Sequence, residues 1–154
     1  MTKASQSTDD GCVFCDALDG RDSPLTVFLG DTCFVILNKF PYTNGHLMVV
    51  PRRHVGTLAE ATPSELSEFM HLVQAAEIVL TESYRPDGLN VGMNLGRPAG
   101  AGVPGHLHIH VVPRWTGDTN FMTVTADTRV VPEDPVDTVE RLRPAFERHL
   151  RHGA

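Results

Sequence analysis

The sequence predicts a single domain built from both β-strands and α-helices. Short stretches rich in β-branched and aromatic residues, bounded by turn residues, predict strands in the first third of the chain. One long stretch with apolar residues at helical spacing predicts a helix in the middle, and two later stretches alternate in the way that half-buried strands do. The chain has 154 residues, of which 41% are hydrophobic, and this is enough to form one core.

The first third of the chain is predicted to contain a tail, a helical turn and three strands. Residues 1–10 are polar, and we expect a disordered tail there, followed by one domain over residues 11–154. The helical turn is expected at residues 13–20 and the strands at residues 26–30, 33–38 and 46–51, with the first two strands joined as a hairpin.

The middle of the chain carries the helix with the clearest sequence pattern. Thr62 fits the N-cap position, Pro63 fits the first helical position, and Glu65 completes a capping box. We expect Pro86 to end the helix. Its apolar stripe is predicted to consist of Leu66, Phe69, Met70, Val73, Ala76 and Leu80.

The stretch GLNVGMNLG at residues 88–96 alternates strictly and predicts a fourth strand. One face of this strand is apolar, whereas the other carries only glycine and asparagine. Glycine weakens a strand and packs against nothing, so this face indicates close approach by a ligand or by another backbone. A purely structural bend is the alternative.

The last third is predicted to contain a Gly/Pro-rich mobile loop at residues 97–105, a strand at residues 106–115 and a C-terminal helix at residues 135–150. We expect Pro144 to kink or split this helix, because proline removes a backbone donor and clashes with the preceding turn.

The strand at residues 106–115 places His106, His108 and His110 at alternate positions. Residues two apart share one face of a strand, so the three imidazoles are predicted to form a row while Leu107 and Ile109 face the core. The row has three interpretations: solvated histidines on an exposed face, one metal held by several imidazoles, or a nucleophilic histidine with flanking partners.

Charge and cysteine content exclude some classes of protein. The net charge is −6, so we expect no nucleic-acid partner. No stretch approaches eighteen apolar residues and the N-terminus has no apolar signal core, so we expect no membrane partner and a cytoplasmic location. The three cysteines do not suggest a disulfide framework, and the Cys12-x-x-Cys15 pair has the spacing of zinc ligands.

Several segments, in the same order, resemble the histidine triad (HIT) superfamily of nucleotide hydrolases and transferases, whose signature is His-φ-His-φ-His-φ-φ with φ apolar. Residues 106–112 match this signature completely, and the segments CVFC, DTCFVILN, GHLMVVPRRH and NLG extend the resemblance over residues 12–115. The resemblance implies an α+β fold with a five-stranded antiparallel sheet, one main helix and a C-terminal helix. It also implies a homodimer with a continuous sheet, in which Met70 and Met93 supply apolar contacts.

The resemblance implies catalytic roles for three histidines. His108 corresponds to the nucleophile that attacks the α-phosphorus of a nucleotide, and a neutral imidazole nitrogen is suited to form such an intermediate and then to leave. His110 corresponds to the neighbour that contacts the phosphate and assists the leaving group. His46 corresponds to a supporting histidine, with a hydrogen-bonded core position as the alternative.

The resemblance also implies a nucleotide pocket. Asn38 corresponds to the residue that binds the ribose hydroxyls, and Asn94 to an amide near the α-phosphate. Gly102 stands in the loop where many members carry a phosphate-contacting Ser or Gln, so backbone N–H groups are expected to replace that side chain. The base is expected to contact Val13, Phe14 and Ile36, for which core packing is an equally good explanation.

The segment that follows the histidines resembles a bacterial branch that includes the diadenosine tetraphosphate phosphorylases, in which a tryptophan at the place of Trp115 lies near the nucleotide. Arg97 and Arg114 are the expected side-chain donors for an attacking phosphate. The missing hydroxyl at Gly102 favours water instead of phosphate as the acceptor.

In the zinc-bearing branch of the superfamily, the metal ligands correspond to Cys12, Cys15, His54 and His106. A Cys₂His₂ set is a closed structural site with no open coordination position, so the expected cofactor is a structural Zn²⁺. A reduced pair of cysteines without metal is the alternative.

We therefore expect an enzyme that cleaves a dinucleoside polyphosphate, such as diadenosine tetraphosphate, at the α-phosphorus by phosphorolysis or hydrolysis through a covalent His108–nucleotide intermediate. A nucleotide-binding sensor without turnover, a nucleoside phosphoramidase-type hydrolase, and a metal-dependent hydrolase that uses the histidine row as ligands are the alternatives.

Overall fold

The structure is a computed structural model that describes residues 11–20, 23–118 and 133–152. The tail expected at residues 1–10 lies outside the described residues. The strands are β1 (Thr26–Leu29), β2 (Cys33–Leu37), β3 (Leu47–Pro51), β4 (Gly88–Gly92) and β5 (Ile109–Arg114), and the helices are α1 (Val13–Leu18), α2 (Pro63–Tyr84) and α3 (Pro135–His152).

The five strands form one antiparallel sheet in the order β1-β2-β3-β5-β4. This arrangement confirms the α+β fold and the five-stranded antiparallel sheet. β5 lies between β3 and β4, where His110 is paired with Met48 on one side and with Gly92 on the other. The histidine-bearing strand is therefore inside the sheet and cannot slide without breaking two ladders.

The two faces of the sheet bury different sets of side chains. One face packs against α2 and α3 and forms the main core, which includes Phe69, Leu72, Leu107, Ile109, Val111 and Phe146. The other face packs against the short helix α1, in a smaller cluster formed by Cys12, Phe14, Ala17, Phe34, Ile36, Met48 and Val50. Successive side chains of β2 and β3 point alternately into these two clusters. Helix α1 lies on the second face, where Phe14 contacts His108.

Helix α2 begins as the sequence predicts. The side-chain oxygen of Thr62 accepts a hydrogen bond from the backbone N–H of Glu65, and the carboxylate of Glu65 accepts one from the N–H of Thr62. The predicted stripe is correct for Phe69 and Val73, but Met70 is 54% exposed in the chain. Leu72, which was not part of the predicted stripe, is buried, because the apolar face of the helix that packs on the sheet is wider than the predicted stripe.

Three predicted boundaries are corrected. β5 begins at Ile109 because the backbone before it bonds to loops: the N–H of Leu107 donates to the carbonyl of Val55 at 2.6 Å. β4 ends at Gly92 because the backbone turns into the following loop, where Gly96 has a φ of 84°. Pro144 does not split α3, which is one helix from Pro135 to His152.

None of the helices in residues 11–20, 23–118 and 133–152 has both the length and the apolar character needed to cross a bilayer.

Candidate functional site

The alternation of the histidine segment is confirmed, and the three histidines belong to two different sites. Leu107 and Ile109 pack into the main core, while His106, His108 and His110 lie on the opposite face. The His106 ring lies 4.9 Å from the His54 ring, and the His108 ring lies 5.1 Å from the His110 ring. The first histidine therefore belongs to a cluster of metal-ligand side chains, and the other two form a separate site.

A backbone hydrogen bond determines the tautomer of His108. Its Nδ1 lies 2.8 Å from the carbonyl oxygen of His106, and only a protonated Nδ1 can donate to that acceptor. The Nε2 of the neutral ring therefore carries a lone pair. His108 is 4% exposed and its ring is confined between Phe14 and His110, so the lone pair has a defined direction. An oriented imidazole lone pair is a nucleophile.

A second chain of hydrogen bonds determines the tautomers of His46 and His110. The backbone N–H of Tyr42 donates to Nδ1 of His46 at 3.2 Å, so the neutral His46 ring carries its proton on Nε2. This Nε2 lies 2.9 Å from Nδ1 of His110 and donates to it. The neutral ring of His110 consequently carries its own proton on Nε2, where it can donate to a phosphate oxygen or a leaving group.

Burial keeps these rings neutral. Burial, and then the nearby His110, lowers the pKa of His46 to about 4. Burial, and then His108, also lowers the pKa of His110 below its usual value. At neutral pH the chain from Tyr42 through His46 to His110 is thus an array of neutral donors and acceptors.

Phe14 and Asn38, two of the residues predicted to contact the nucleoside, lie beside these histidines. The Phe14 ring lies 5.1 Å from the His108 ring, and Ile36 is buried in the same cluster, whereas Val13 is exposed. The side chain of Asn38 lies beside His46, with Nδ2 at 3.4 Å from Nε2 of that ring, and its Oδ1 accepts from the backbone N–H of Phe40. Phe14 and Ile36 are thus both packed core residues and neighbours of the site.

The Gly/Pro-rich loop lies next to the metal-ligand side chains. Asn94 is exposed, and its Nδ2 donates to the carbonyl of Gly100 at 3.2 Å, which fixes the start of the loop. Gly102 is exposed, and an added Cβ would meet no atom within 4 Å. A cleft of about 300 Å³ runs along this loop, lined by Gly11, Cys12, Val13, His54, Arg97, Gly102, Val103, Pro104 and Gly105.

Arg114 and Trp115 lie at the C-terminal end of β5, whereas His106 and His108 precede its first residue. Trp115 follows the last residue of β5, seven positions along the chain from His108, and is partly buried there. Arg114 donates to the carboxylate of Asp118 through two nitrogens at 2.6 Å and to Asn90 at 2.9 Å. The guanidinium of Arg114 is thus paired within the protein, and its expected role as a donor to an attacking phosphate stays a prediction.

Cys12, Cys15, His54 and His106 lie close enough together to bind a metal, because their ligand atoms are all within 4.8 Å of one another. Nδ1 of His106 lies 3.3 Å from Sγ of Cys12, and Nδ1 of His54 lies 3.4 Å from Sγ of Cys15. Tetrahedral zinc with Zn–S near 2.3 Å and Zn–N near 2.0–2.1 Å needs ligand atoms roughly 3.3–3.8 Å apart. The donor set and its spacing therefore fit zinc.

The surroundings of this cluster orient its ligands. Nε2 of His106 donates to the carbonyl of Pro51 at 2.8 Å, which leaves Nδ1 as the lone pair that faces the cysteines. Next to His54, Arg53 forms two hydrogen bonds of 2.8–2.9 Å with the carboxylate of Glu65 in α2. Burial raises the pKa of the Cys15 thiol to about 11, with the adjacent Cys12 as the next cause, so a metal that binds here displaces that proton.

Sequence reasoning missed the groups that determine the tautomers. The N–H of Tyr42 and the carbonyls of Pro51 and His106 are backbone groups, and the residue types do not predict that these groups form the bonds. Glu65 was recognised as a capping residue but not as the partner of Arg53. A basic residue directly before a candidate ligand was the only available signal.

The comparisons with known proteins determine the family. A family model described as HIT domain matches residues 23–117. The chain belongs to the HIT domain family. Its relatives include a Mycobacterium tuberculosis protein named AP-4-A phosphorylase, which is 44% identical over 124 residues, or 80% of this chain. The match covers 64% of that relative, so this HIT domain protein spans less than two thirds of its length.

Solved structures of the HIT family have the same fold. A hypothetical histidine triad nucleotide-binding protein from Sulfolobus tokodaii is 27% identical, covers 91% of this chain and 95% of its own, and has a TM-score of 0.75. A Zn-bound histidine triad family protein from Mycobacterium smegmatis is 28% identical, covers 93% of this chain and 98% of its own, and also has a TM-score of 0.75.

Proposed function

We propose that this HIT protein cleaves a dinucleoside polyphosphate at the α-phosphorus through a covalent intermediate on His108. The observation that carries the proposal is the 2.8 Å hydrogen bond from Nδ1 of His108 to the carbonyl of His106, because it directs the Nε2 lone pair away from the backbone. The M. tuberculosis relative named AP-4-A phosphorylase supports this class of substrate.

The first step transfers the nucleotide from the polyphosphate to His108. The Nε2 lone pair of His108 forms a bond to the α-phosphorus, and the bond between that phosphorus and the bridging oxygen breaks. The electron pair leaves on the oxygen of the departing polyphosphate, and Nε2–H of His110 donates a hydrogen bond to it. His46 keeps that proton on the correct nitrogen of His110 through the 2.9 Å bond to Nδ1.

In the second step, an acceptor oxygen attacks the α-phosphorus, and Nε2 of His108 leaves with the electron pair. We propose inorganic phosphate as the acceptor, bound by Arg97 and by backbone N–H groups around Gly102, because a multiply charged acceptor needs fixed donors. Arg97 lines the cleft beside that glycine. Asn38, Val13, Phe14, Ile36 and Asn94 are proposed to hold the nucleotide that stays on His108.

We further propose that Cys12, Cys15, His54 and His106 hold one structural zinc ion, for which the Zn-bound M. smegmatis structure is a precedent. When bound, zinc supplies a crosslink between the N-terminal segment, the turn after β3 and the start of β5. His106 is then fixed through both of its ring nitrogens, and its carbonyl is the acceptor that orients His108.

We also propose a homodimer that forms along the outer edge of β4. This strand is at one end of the sheet, so one row of its backbone donors and acceptors has no partner strand within the described residues. Val91 and Leu95 on this segment and Met70 on α2 are exposed in the single chain. Gly88 and Gly92 have no atom within 4 Å of an added Cβ, so close approach by a second backbone is sterically open there.

The test is product identification with diadenosine tetraphosphate in the presence and absence of inorganic phosphate. Phosphorolysis yields ADP and ATP, hydrolysis at the α-phosphorus yields AMP and ATP, and a binding module yields neither. His108→Ala is expected to lose at least about a hundredfold in kcat while the nucleotide still binds. His71→Ala, at an exposed position of α2, is the matched control. If AMP is the product even at saturating phosphate, the protein is a hydrolase and the phosphorylase proposal is excluded.

A further inference from the structure

The loop between β2 and β3 carries the backbone group that determines the tautomer of His46. The N–H of Tyr42 donates to Nδ1 of His46 at 3.2 Å, and Nε2 of His46 donates in turn to Nδ1 of His110 at 2.9 Å. The position of the proton on His110 therefore depends on where the Tyr42 N–H lies. A group that holds this loop in place acts on His110 through the two hydrogen bonds.

The backbone ladder between β3 and β5 does not extend into this loop. The ladder pairs these strands as far as Leu47 and Val111. Two residues further along, the same register would place Gly45 opposite Pro113. Proline has no N–H to donate, and Gly45 has a φ of 76°, which is not a strand conformation. The loop therefore needs another attachment to β5.

The side chain of Thr43 provides this attachment. Its hydroxyl donates to the carbonyl of Pro113 at 2.7 Å, and its own carbonyl accepts from the N–H of His46 at 3.3 Å. Thr43 directly follows Tyr42 along the chain. Pro113 lies in β5, the strand that also carries His110. The hydroxyl bond therefore fixes the Tyr42 N–H relative to the strand of His110.

Other contacts hold different parts of the loop. The N–H of Asn38 donates to the carbonyl of His46 at 2.9 Å, which closes the base of the loop. The side-chain oxygen of Asn44 accepts from the N–H of Glu133 at 2.8 Å, which ties the loop to the segment before α3. These bonds hold the loop to its own ends and to the helical side of the molecule, whereas the Thr43 hydroxyl holds it to β5.

We propose that Thr43 is a positioning residue for the departure of the leaving group. Its hydroxyl holds the Tyr42 N–H against His46, and the chain of bonds that begins there keeps the proton of His110 on Nε2. Without the hydroxyl, Nδ1 of His46 loses the fixed donor that selects its tautomer. This inference rests on the proposed function and adds to it a residue that acts through the histidines.

The experiment uses two substitutions of Thr43 and one control. Thr43→Val removes the hydroxyl and keeps nearly the same shape, whereas Thr43→Ser keeps the hydroxyl and removes only the methyl group. Thr81→Val is the matched control, because the Thr81 hydroxyl also donates to a backbone carbonyl at 2.7 Å, that of Glu77 within α2.

The first measurement records the tautomers of His46 and His110 from the ¹⁵N resonances of their rings at neutral pH, without substrate. The wild type is expected to carry the proton on Nε2 of both rings. Thr43→Val is expected to give a mixture of tautomers, while Thr43→Ser and Thr81→Val keep the wild-type state. Unchanged tautomers in folded Thr43→Val overturn the inference, because a merely structural role would lower stability without moving these resonances. A wild type with His46 protonated on Nδ1 overturns it without any variant.

The second measurement is the single-turnover formation of ATP from diadenosine tetraphosphate, with the protein in excess, because ATP departs in the first step. Thr43→Val is expected to lower the maximal rate by about three- to tenfold, since the hydrogen bond to the departing oxygen is weakened in the transition state. Thr43→Ser is expected to restore the rate, and the half-saturating protein concentration should stay the same in all variants.

The two measurements separate this inference from the proposed function. A change in half-saturation with an unchanged maximal rate overturns the inference, because Thr43 would then act on nucleotide binding. A wild type that does not cleave the dinucleotide contradicts the proposed function, whereas the ¹⁵N resonances still decide whether Thr43 orders the histidines.

Discussion

Acid should destabilise this protein through His46, which is 0% exposed and neutral in the folded state. Its ring faces His110, Tyr42 and Asn38, and none of these side chains carries a negative charge that would favour the protonated form. Burial and His110 lower its pKa to about 4, whereas a histidine in the unfolded chain titrates near 6.5. The unfolded state therefore takes up this proton first as the pH falls.

The size of the effect follows from linkage. Between pH 7 and pH 5 the unfolded chain becomes protonated at this position and the folded chain does not, so stability is lost as the pH falls. At pH 5 the ring is about 1.5 pH units below its unfolded pKa, and at roughly 1.4 kcal/mol per unit the loss is about 2 kcal/mol. The loss is complete once the pH is below about 4.

The assay is urea unfolding at pH 7 and at pH 5 for the wild type and for His46→Gln, which cannot titrate. Contributions from a bound metal and from titrating groups that do not contact His46 are shared by both proteins and cancel in the difference. Glu65, whose pKa is lowered to about 2 by its hydrogen bonds with Arg53, titrates below this window. We expect the wild type to lose about 2 kcal/mol more than the variant over this range. Equal losses in the two proteins would refute the reasoning.

Three further predictions concern other parts of the molecule. Protein purified without added zinc should contain about one zinc ion per chain, and removal of this zinc by a chelator should lower Tm. A Cys12→Ser variant that keeps full zinc content and full Tm would exclude the proposed ligand set. Glu68→Gln should cost about 1–3 kcal/mol of unfolding free energy, because the carboxylate accepts three backbone N–H bonds and one hydroxyl bond from the β1–β2 turn. Glu82→Gln, at an exposed position of α2, is the control, and equal stability of the two variants would contradict this prediction. Sedimentation at micromolar concentration should show a dimer that Val91→Arg converts to a monomer, and a monomeric wild type would count against the β4 interface.

Several parts of this molecule follow from the sequence because they depend on local pattern. Alternating side chains point to opposite faces of an extended segment, so the separation of His106, His108 and His110 from Leu107 and Ile109 is visible in the letters alone. The capping box of α2 is likewise a property of four consecutive residues. The metal-ligand set and the fold were predicted through the resemblance to the HIT superfamily, which adds long-range information that periodicity lacks.

Other features were decided only by the tertiary structure. The tautomers of His46 and His108 depend on a backbone N–H and a backbone carbonyl, and every residue possesses such groups, so sequence pattern cannot select the ones that matter. Arg114 had the charge expected of a phosphate ligand, but its pairing with Asp118 depends on how the chain turns after β5. The exposure of Phe40 and Tyr42 was equally invisible, because aromatic residues are buried in most contexts and only the packing around a loop leaves them outside. The sequence determined which side chains are available and which share a face, and the fold determined their partners, because hydrogen bonds and burial depend on distances between segments that are remote along the chain.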